Sequence, residues 1–309
     1  MALHFSDGRF QSRFFRTAQT MLEHEDSAYY ALVEDAANHI NPEHLVTFGM
    51  NLGYNSCTWG AQHIRANEAQ LGFNIPWTVL FLMEEPHCSR HLPQYGQAVS
   101  EGEELGIYSW ILLSHGNLLE LLPLIERHPD SAFFLFCRPE DISPAVLDEI
   151  TPLRHLMLVV RWGDQADEAC AMLRNARLPY SVYYPYSPDD LPFIRSGDLF
   201  CDTQQLHPLF TALAAKPDCP AEIQRQAHQA AEELRNGQNY KTVPWELCYD
   251  TRSLDEIISD DACCVLFDGQ GQLIALDNPG CAPFGCLFEE GLTSLIRRAY
   301  PKSPPASSL

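Results

Sequence analysis

The segment "WTVLFLMEEPHCSRHLPQYGQAVSEGEELGIYSWILL", residues 77–113, decides the fold. It opens with an apolar run of strand length, passes through a polar stretch ending in "YGQAVSEGEELG", and returns to a second apolar run. Strands that read as nearly continuous apolar runs are buried on both faces, and a helical stretch between two of them is the unit of a parallel sheet. The same alternation extends in both directions. Strands are expected at "LVTFGM" (45–50), "WTVLFLM" (77–83), "IYSWILL" (107–113), "SAFFLFC" (131–137), "HLMLVVRW" (155–162) and "YSVYYPY" (180–186). Helices are expected at about 56–70, at 95–106, 117–128 and 165–176, and near "SPAVLDEI". Six strands in strict alternation suit either an open doubly wound sheet or a partial barrel, and periodicity does not separate the two.

Two helices are expected ahead of this unit. "FQSRFFRTAQTML" sets Phe10, Phe14, Thr17, Ala18 and Met21 on one face, and "SAYYALVEDAANHI" follows Ser27 as N-cap. Beyond residue 190 the pattern changes to helices at "DTQQLHPLFTALAA" and "PAEIQRQAHQAAEELRNG". A hairpin, "CCVLFDGQGQLIALD", then turns at Asp268-Gly269-Gln270-Gly271, and a last helix lies within "CLFEEGLTSLIRRAY". The expected organisation is N-terminal helices over 1–43, the α/β unit over 44–190, a small α+β appendage over 191–300 and a loose tail over 301–309.

Forty-one acidic residues oppose twenty basic ones among 309, a formal charge of −21. No stretch concentrates Lys and Arg, so nucleic acid and anionic membrane surfaces are not expected partners. The apolar runs are too short to span a bilayer, and "MALHFSDGRF" lacks the layout of a signal peptide, so a cytoplasmic location is expected. The eleven cysteines are scattered without the spacing of a disulfide scaffold and read as thiols, some of them candidate ligands. There is no G-x-S-x-G, P-loop or G-x-G-x-x-G.

In a parallel α/β unit, ligands bind beyond the carboxyl ends of the strands. The residues there are "MNLGYNSC" after the first expected strand, "EEPHC" after the second and "SHGN" after the third. Together these resemble the radical S-adenosylmethionine superfamily, whose first strand is followed by C-N-L-x-C-x-x-C. Met50-Asn51-Leu52-Gly53-Tyr54-Asn55-Ser56-Cys57 keeps the Asn-Leu pair and the last cysteine of that motif, with Met50 and Tyr54 in the place of the first two. Met83-Glu84-Glu85-Pro86 keeps the last two letters of the family's G-G-E-P, and Ser114-His115-Gly116-Asn117-Leu118-Leu119 is similar to its third strand end. The hairpin with "FGCLFEEGLTSLI" is similar to the SPASM-type auxiliary domain of peptide-modifying members.

The resemblance implies a partial (β/α)6 TIM-like barrel carrying a SPASM-like appendage, and a cofactor site formed by Met50, Asn51, Tyr54 and Cys57 with Glu85, Pro86 and Gly116. It equally implies that the site is degenerate. A [4Fe–4S] cluster depends on thiolate ligands, and a thioether with a phenol does not replace two of them. No cofactor is therefore expected at the barrel. An iron–sulfur cluster or a zinc ion in the appendage would use Cys264, Cys281 and Cys286, which lie in the densest group of thiols together with Cys248 and Cys263.

Each candidate has a plainer reading. Cys57 is either a buried small hydrophobe or a thiol activated by a helix start. His87-Cys88-x-x-His91 has the residue types of a zinc loop without a fourth ligand nearby, and otherwise reads as a solvated loop. Glu84, Glu85 and His115 are candidate catalytic acids and bases, or else solvated loop residues. The Tyr residues of "YSVYYPY" are candidates to line a pocket. The leading expectation is a protein that has lost the catalytic cluster and binds a peptide or a partner enzyme. The alternative is an active enzyme, either a radical enzyme with a rearranged cluster or an ordinary barrel enzyme using Glu84, Glu85 and His115. A purely structural protein is the third reading, and the oligomeric state is left open.

Overall fold

The run Thr78–Met83 forms β1 at the middle of a parallel sheet, and both of its faces are covered. In the computed structural model, which describes residues 23–84, 87–114, 116, 118–259, 262–275 and 283–302, the strands that follow are β2 (Ser109–Ser114), β3 (Ala132–Cys137), β4 (Leu156–Arg161), β5 (Tyr180–Tyr186), β6 (Phe210–Ala215), β7 (Val243–Glu246), β8 (Val265–Phe267) and β9 (Leu273–Ala275). Their order is β7-β6-β5-β4-β3-β2-β1-β8-β9, parallel throughout except for β9. Six strands, β1 to β6, lie side by side in chain order, the arrangement of a partial (β/α)6 barrel, with β7 extending one edge and the β8–β9 hairpin the other.

Between the strands run α4 (His87–Leu105), α5 (Leu118–Glu126), α6 (Pro144–Ile150), α7 (Ala166–Asn175), the short α8 (Leu191–Ser196) and α9 (Asp198–Thr203), α10 (Ala221–Gly237) and α11 (Leu247–Ile258), with α12 (Leu292–Ala299) last. Alternation along the strands divides the sheet between two layers. Val79, Phe81, Trp110, Leu112, Phe133, Leu135, Leu158, Val160 and Val182 face the helices in one large core. Phe81 sits at its centre, parallel to the Trp110 ring at 5.8 Å and also against Tyr95 and Phe267. Burying an aromatic side chain of this kind contributes roughly 2–3 kcal/mol. Leu80, Ile111, Phe136, Val159 and Ala212 line the opposite face.

The stretch 45–50 is helical, which corrects the expectation of a strand there. It belongs to α2 (Pro42–Met50), where the Asn41 side chain accepts from the Glu43 amide and Pro42 occupies the first turn. An Asn cap followed by Pro is a strong helix start, and it outweighs the β-branched run behind it. His44, Phe48 and Asn51 then fall on one buried face. The sixth barrel strand is supplied instead by "FTALAA", which composition assigned to a helix; the sheet thus runs on past residue 190.

Helix α1 (Ala28–His39) starts at Ser27, whose side chain accepts from the Tyr29 amide as expected. The helix expected over 10–22 lies outside the described residues. After α2 the chain continues as a π-helix, Asn51–Gly60, and then α3 (Ala61–Leu71), which Gly72 ends in the left-handed region. These helices pass beneath the amino ends of the strands in turn. Ala28 donates to Gln238 ahead of β7, Asn41 to Arg177 ahead of β5, and the Asn51 amide to the Pro129 and Ser131 carbonyls ahead of β3. Phe48 closes the inner face from below, against Ala132 and Met157 and edge-on to Phe134 at 5.2 Å.

Candidate functional site

The carboxyl end of β1 leads directly into α4, and the C-terminal hairpin packs over that junction. Cys88 donates its amide to the Glu84 carbonyl, which starts the helix, and the Cys88 side chain turns into the core. Three residues on, α4 kinks at His91, two residues before Pro93, whose ring and missing N–H disrupt the regular turn. The His91 ring lies flat on Phe288 at 3.8 Å. The tight β8–β9 turn reaches the same place: a Cβ on Gly269 would stand 2.9 Å from the Glu84 Cβ, which cannot swing aside as its carboxylate can, so a side chain there would push the hairpin outward. Cys286 is held beside the turn by a 3.5 Å contact from its sulfur to the Gln270 carbonyl. Burial raises the Tyr95 phenol, and Cys88, Asp268, Cys286 and Glu84 all add to that effect. All four groups thus lie within electrostatic reach of one tyrosine.

The other strand ends carry a second set of polar groups. Gly116, just past β2, has φ 119°, and a Cβ there would meet the Arg138 guanidinium at 3.6 Å. Arg138, just past β3, makes two side-chain bonds to Asp141, at 2.9 and 3.2 Å. Arg161 is exposed at the end of β4. Burial holds the Tyr183 phenol up at about 12, and Cys137, Arg161, Asp141 and Arg138 also act on it. Tyr183 lies against Phe136 at 5.1 Å on the inner face of the sheet. Leu113, Phe134, Phe210, Ala214 and Leu266 are only partly covered there. These half-covered apolar side chains make a trough-like strip along the inner face, with Tyr183 and the exposed Arg161 at its carboxyl end and Arg138 there paired to Asp141 and Glu140. Such a surface suits an elongated, mostly apolar ligand carrying an anionic group.

The residues read as a degenerate cluster loop lie elsewhere. Met50, Asn51, Tyr54 and Cys57 sit on the π-helix and the turn before it, at the amino ends of β2 and β3, opposite the strand ends where parallel sheets bind ligands. The physical reason is the missing strand: with 45–50 helical, nothing points this segment toward the carboxyl side. Cys57 is buried, and desolvation pushes its thiol up to about 12, so the burial reading holds over the activated one. Glu84 is exposed at the end of β1. Glu85, Pro86, His115 and Cys281 fall outside the described residues. Cys264 is buried at the start of β8, where its carbonyl accepts from Tyr300, whereas Cys286 lies by the turn at the other end of the hairpin. Among the described residues no three His, Cys, Asp or Glu side chains group closely enough to hold a metal ion.

The segment that directly follows β1, the first strand of the sheet, is Glu84–His91. Glu84-x-x-x-Cys88-x-x-His91 has the C-x-x-x-C-x-x-C spacing, with a carboxylate and an imidazole in place of two thiolates. Reading 45–50 as a strand hid this coincidence. His87-Cys88-x-x-His91 is thus a helix start with a buried thiol, not a solvated loop. The usual three-thiolate donor set does not fit the junction.

Comparison with solved structures agrees with this order of strands. Streptococcus suis SuiB superimposes with a TM-score of 0.54 at 8% identity, covering 76% of this chain and 68% of SuiB. Its S-adenosylmethionine-bound form gives 0.53 at 9% identity, covering 76% and 66%. The chain shares the fold of SuiB. SuiB bound to its precursor peptide SuiA gives 0.52 at 10% identity, covering 76% and 67%. The chain thus spans about two thirds of SuiB's length. No protein-family model matches the sequence, and no curated protein does. At these identities the likeness carries the fold and not the chemistry. Among the described residues no helix is long and apolar enough to cross a membrane.

Two features escaped the sequence reading. Arg161 and Arg138 at the trough could have been found from their place directly after apolar runs. The buried pair Tyr186–Glu246, with the phenol donating at 3.0 Å, joins the ends of β5 and β7. The short strand "VPWE" gave no periodic signal for it.

Proposed function

We propose that this protein uses the radical S-adenosylmethionine fold without the usual cluster chemistry, and binds a peptide along the trough as an accessory protein. The observation that carries the reading is the β1–α4 junction. Its single thiol, Cys88, is packed into the core beneath the C-terminal hairpin, and its motif positions offer a carboxylate and an imidazole. Thiolates are the ligands on which such clusters depend. The trough from Leu80 to Tyr183 favours a peptide as ligand, and SuiB, which shares the fold, was solved with a precursor peptide.

The test is anaerobic reconstitution with iron and sulfide on the full chain and on Cys88→Ala and Cys57→Ala, followed by metal analysis and absorption spectra. A stoichiometric cluster would sink the proposal. Binding is tested by selecting random peptides on the full chain and measuring their affinity for Tyr183→Asp, which is expected to weaken it by about ten-fold or more. Selected peptides that bind the variant equally well would remove the trough from the reading.

A second reading is favoured by the Glu84-x-x-x-Cys88-x-x-His91 spacing: a working enzyme whose cluster has a rearranged ligand set. It requires α4 to release Cys88 from the core. Iron that is lost in Cys88→Ala and kept in Cys57→Ala would establish it.

A further inference from the structure

The π-helix at 51–60 has a geometric consequence away from the strand ends. Its i→i+5 bonding, seen in the Ala61 amide donating to the Ser56 carbonyl, gives about 4.4 residues per turn. Nine residues then make about two whole turns, whereas in an α-helix they make about two and a half. Trp59 therefore falls on the same side as Met50 instead of the opposite one. Val46 lies one α-turn before Met50. The outcome is a single outward stripe of Val46, Met50, Tyr54 and Trp59, exposed by 63%, 52%, 51% and 38%. The other side of the same segment is fixed to the body by Asn51 and Asn55, whose amides donate to the Pro129, Ser131 and Asp130 carbonyls. The rare helix type thus anchors one face and sets out the other.

The surroundings are acidic. Trp59 packs against Tyr108 at 5.3 Å, and the carboxylates of Glu103 and Asp130 lie close enough to hold the Tyr108 phenol up, with burial the larger cause. Glu104 is exposed next to them. The acidic groups are at the Trp59 end; at the other end Arg154 pairs with Glu43 and offsets its charge. The whole chain carries −21. Large exposed apolar patches on a folded protein mark interaction sites, and a stripe along one helix face is complementary to a stripe on another. The negative field selects against anionic membranes, nucleic acid and a second copy of this chain.

The geometry points to this stripe as a docking surface for a basic amphipathic helix of a partner protein. The docked helix lays its apolar side on Val46, Met50, Tyr54 and Trp59 and directs Lys or Arg toward the exposed Asp130 and Glu104. The surface is on the amino side of the sheet, so it is independent of the trough and of the reading given to it.

The test uses the full chain and two fluorescent peptides of about 16 residues with the same leucine stripe, one with lysine on the polar side and one with glutamate. The lysine peptide is expected to bind at physiological salt and the glutamate peptide not to. Met50→Asp and Tyr54→Asp are each expected to weaken binding by about ten-fold. Val33→Asp, which changes an exposed apolar residue on α1, is expected to leave it unchanged. Equal binding of the lysine peptide to Met50→Asp, Tyr54→Asp and the native chain would overturn the proposal, since general charge attraction would then suffice. Self-association or binding to anionic vesicles that Met50→Asp abolishes would overturn it in favour of a second copy or a lipid surface.

Discussion

Gly60 and Gly106 meet backbone to backbone. A Cβ on Gly60 would stand 2.5 Å from the Gly106 carbonyl oxygen, and one on Gly106 would stand 2.7 Å from that of Gly60. Both neighbours are main chain, so neither can move aside. Gly60→Ala is expected to destabilise the protein by about 3 kcal/mol, the upper end of what overpacking costs. Gly106→Ala is expected to cost more, because φ at this position is 105° and a side chain adds strain to the clash. Urea unfolding of the two variants, read by far-UV circular dichroism, checks both the size and the order.

Glu246 gives the stability a defined pH dependence. Burial lifts its carboxyl to about 7, although the Tyr249 amide and the Tyr186 hydroxyl both donate to it. A carboxyl raised on folding holds its proton to higher pH in the native state. Its contribution is therefore present in full below about pH 4.5 and is lost as pH rises through 7. The loss by pH 8 is on the order of 3 kcal/mol. Glu246→Gln is expected to be more stable than the native chain at pH 8 and no more stable at pH 5, measured by urea unfolding at each pH. A gap of equal size at both pH values would reject the assignment.

Asp250 and Arg235 form the buried ion pair beside it. Two bonds of 2.8 and 2.9 Å join them, Asp250 also accepts from the Glu246 amide, and the Arg235 guanidinium donates onward to the Pro244 carbonyl. Asp250→Ala leaves a buried guanidinium without its counter-charge and is expected to cost about 3–5 kcal/mol. Replacing both partners together with apolar residues is expected to restore part of the loss, a comparison that thermal denaturation of the single and double variants makes directly.

Thiol reactivity should follow burial. Cys201 is exposed, whereas Cys57 and Cys170 are buried with thiols pushed up to about 12. At pH 8 a thiol of that pKa is about one part in ten thousand thiolate, and the thiolate is the reacting form. Brief iodoacetamide treatment of the native protein, mapped by mass spectrometry, is expected to label Cys201 first and to leave Cys57 and Cys170 unlabelled until urea is added.

Strands β1 to β5 were legible because each is an unbroken apolar run between helical stretches, and the hairpin because Asp268-Gly269-Gln270-Gly271 is strong turn chemistry. The errors came from places where two local signals compete. At 42–50 the Asn41-Pro42 start outweighs the β-branched pair Val46-Thr47. At 210–215 the alanines suggest a helix, yet the open edge beside β5 takes the segment as a strand. The π-helix has no signature of its own, since it depends on bonds from Asn51 and Asn55 to carbonyls more than seventy residues away. With 42–50 helical, Met50–Cys57 falls at the amino ends of the strands, and the segment that leaves β1 at its carboxyl end is Glu84–His91.

The parallel pairing of β1 with β8 also bears on how the chain is made. Val79 and Phe81 find their outer neighbours in Val265 and Phe267, which emerge from the ribosome only after most of the chain has been synthesised. Until then the edge of β1 stays open beside Phe81. An open apolar edge is the kind of surface through which nascent or truncated chains associate. Pairing this distant also makes for slow folding. A chain stopped short of β8 should therefore accumulate as aggregates and call on chaperones, although every strand of its barrel is present.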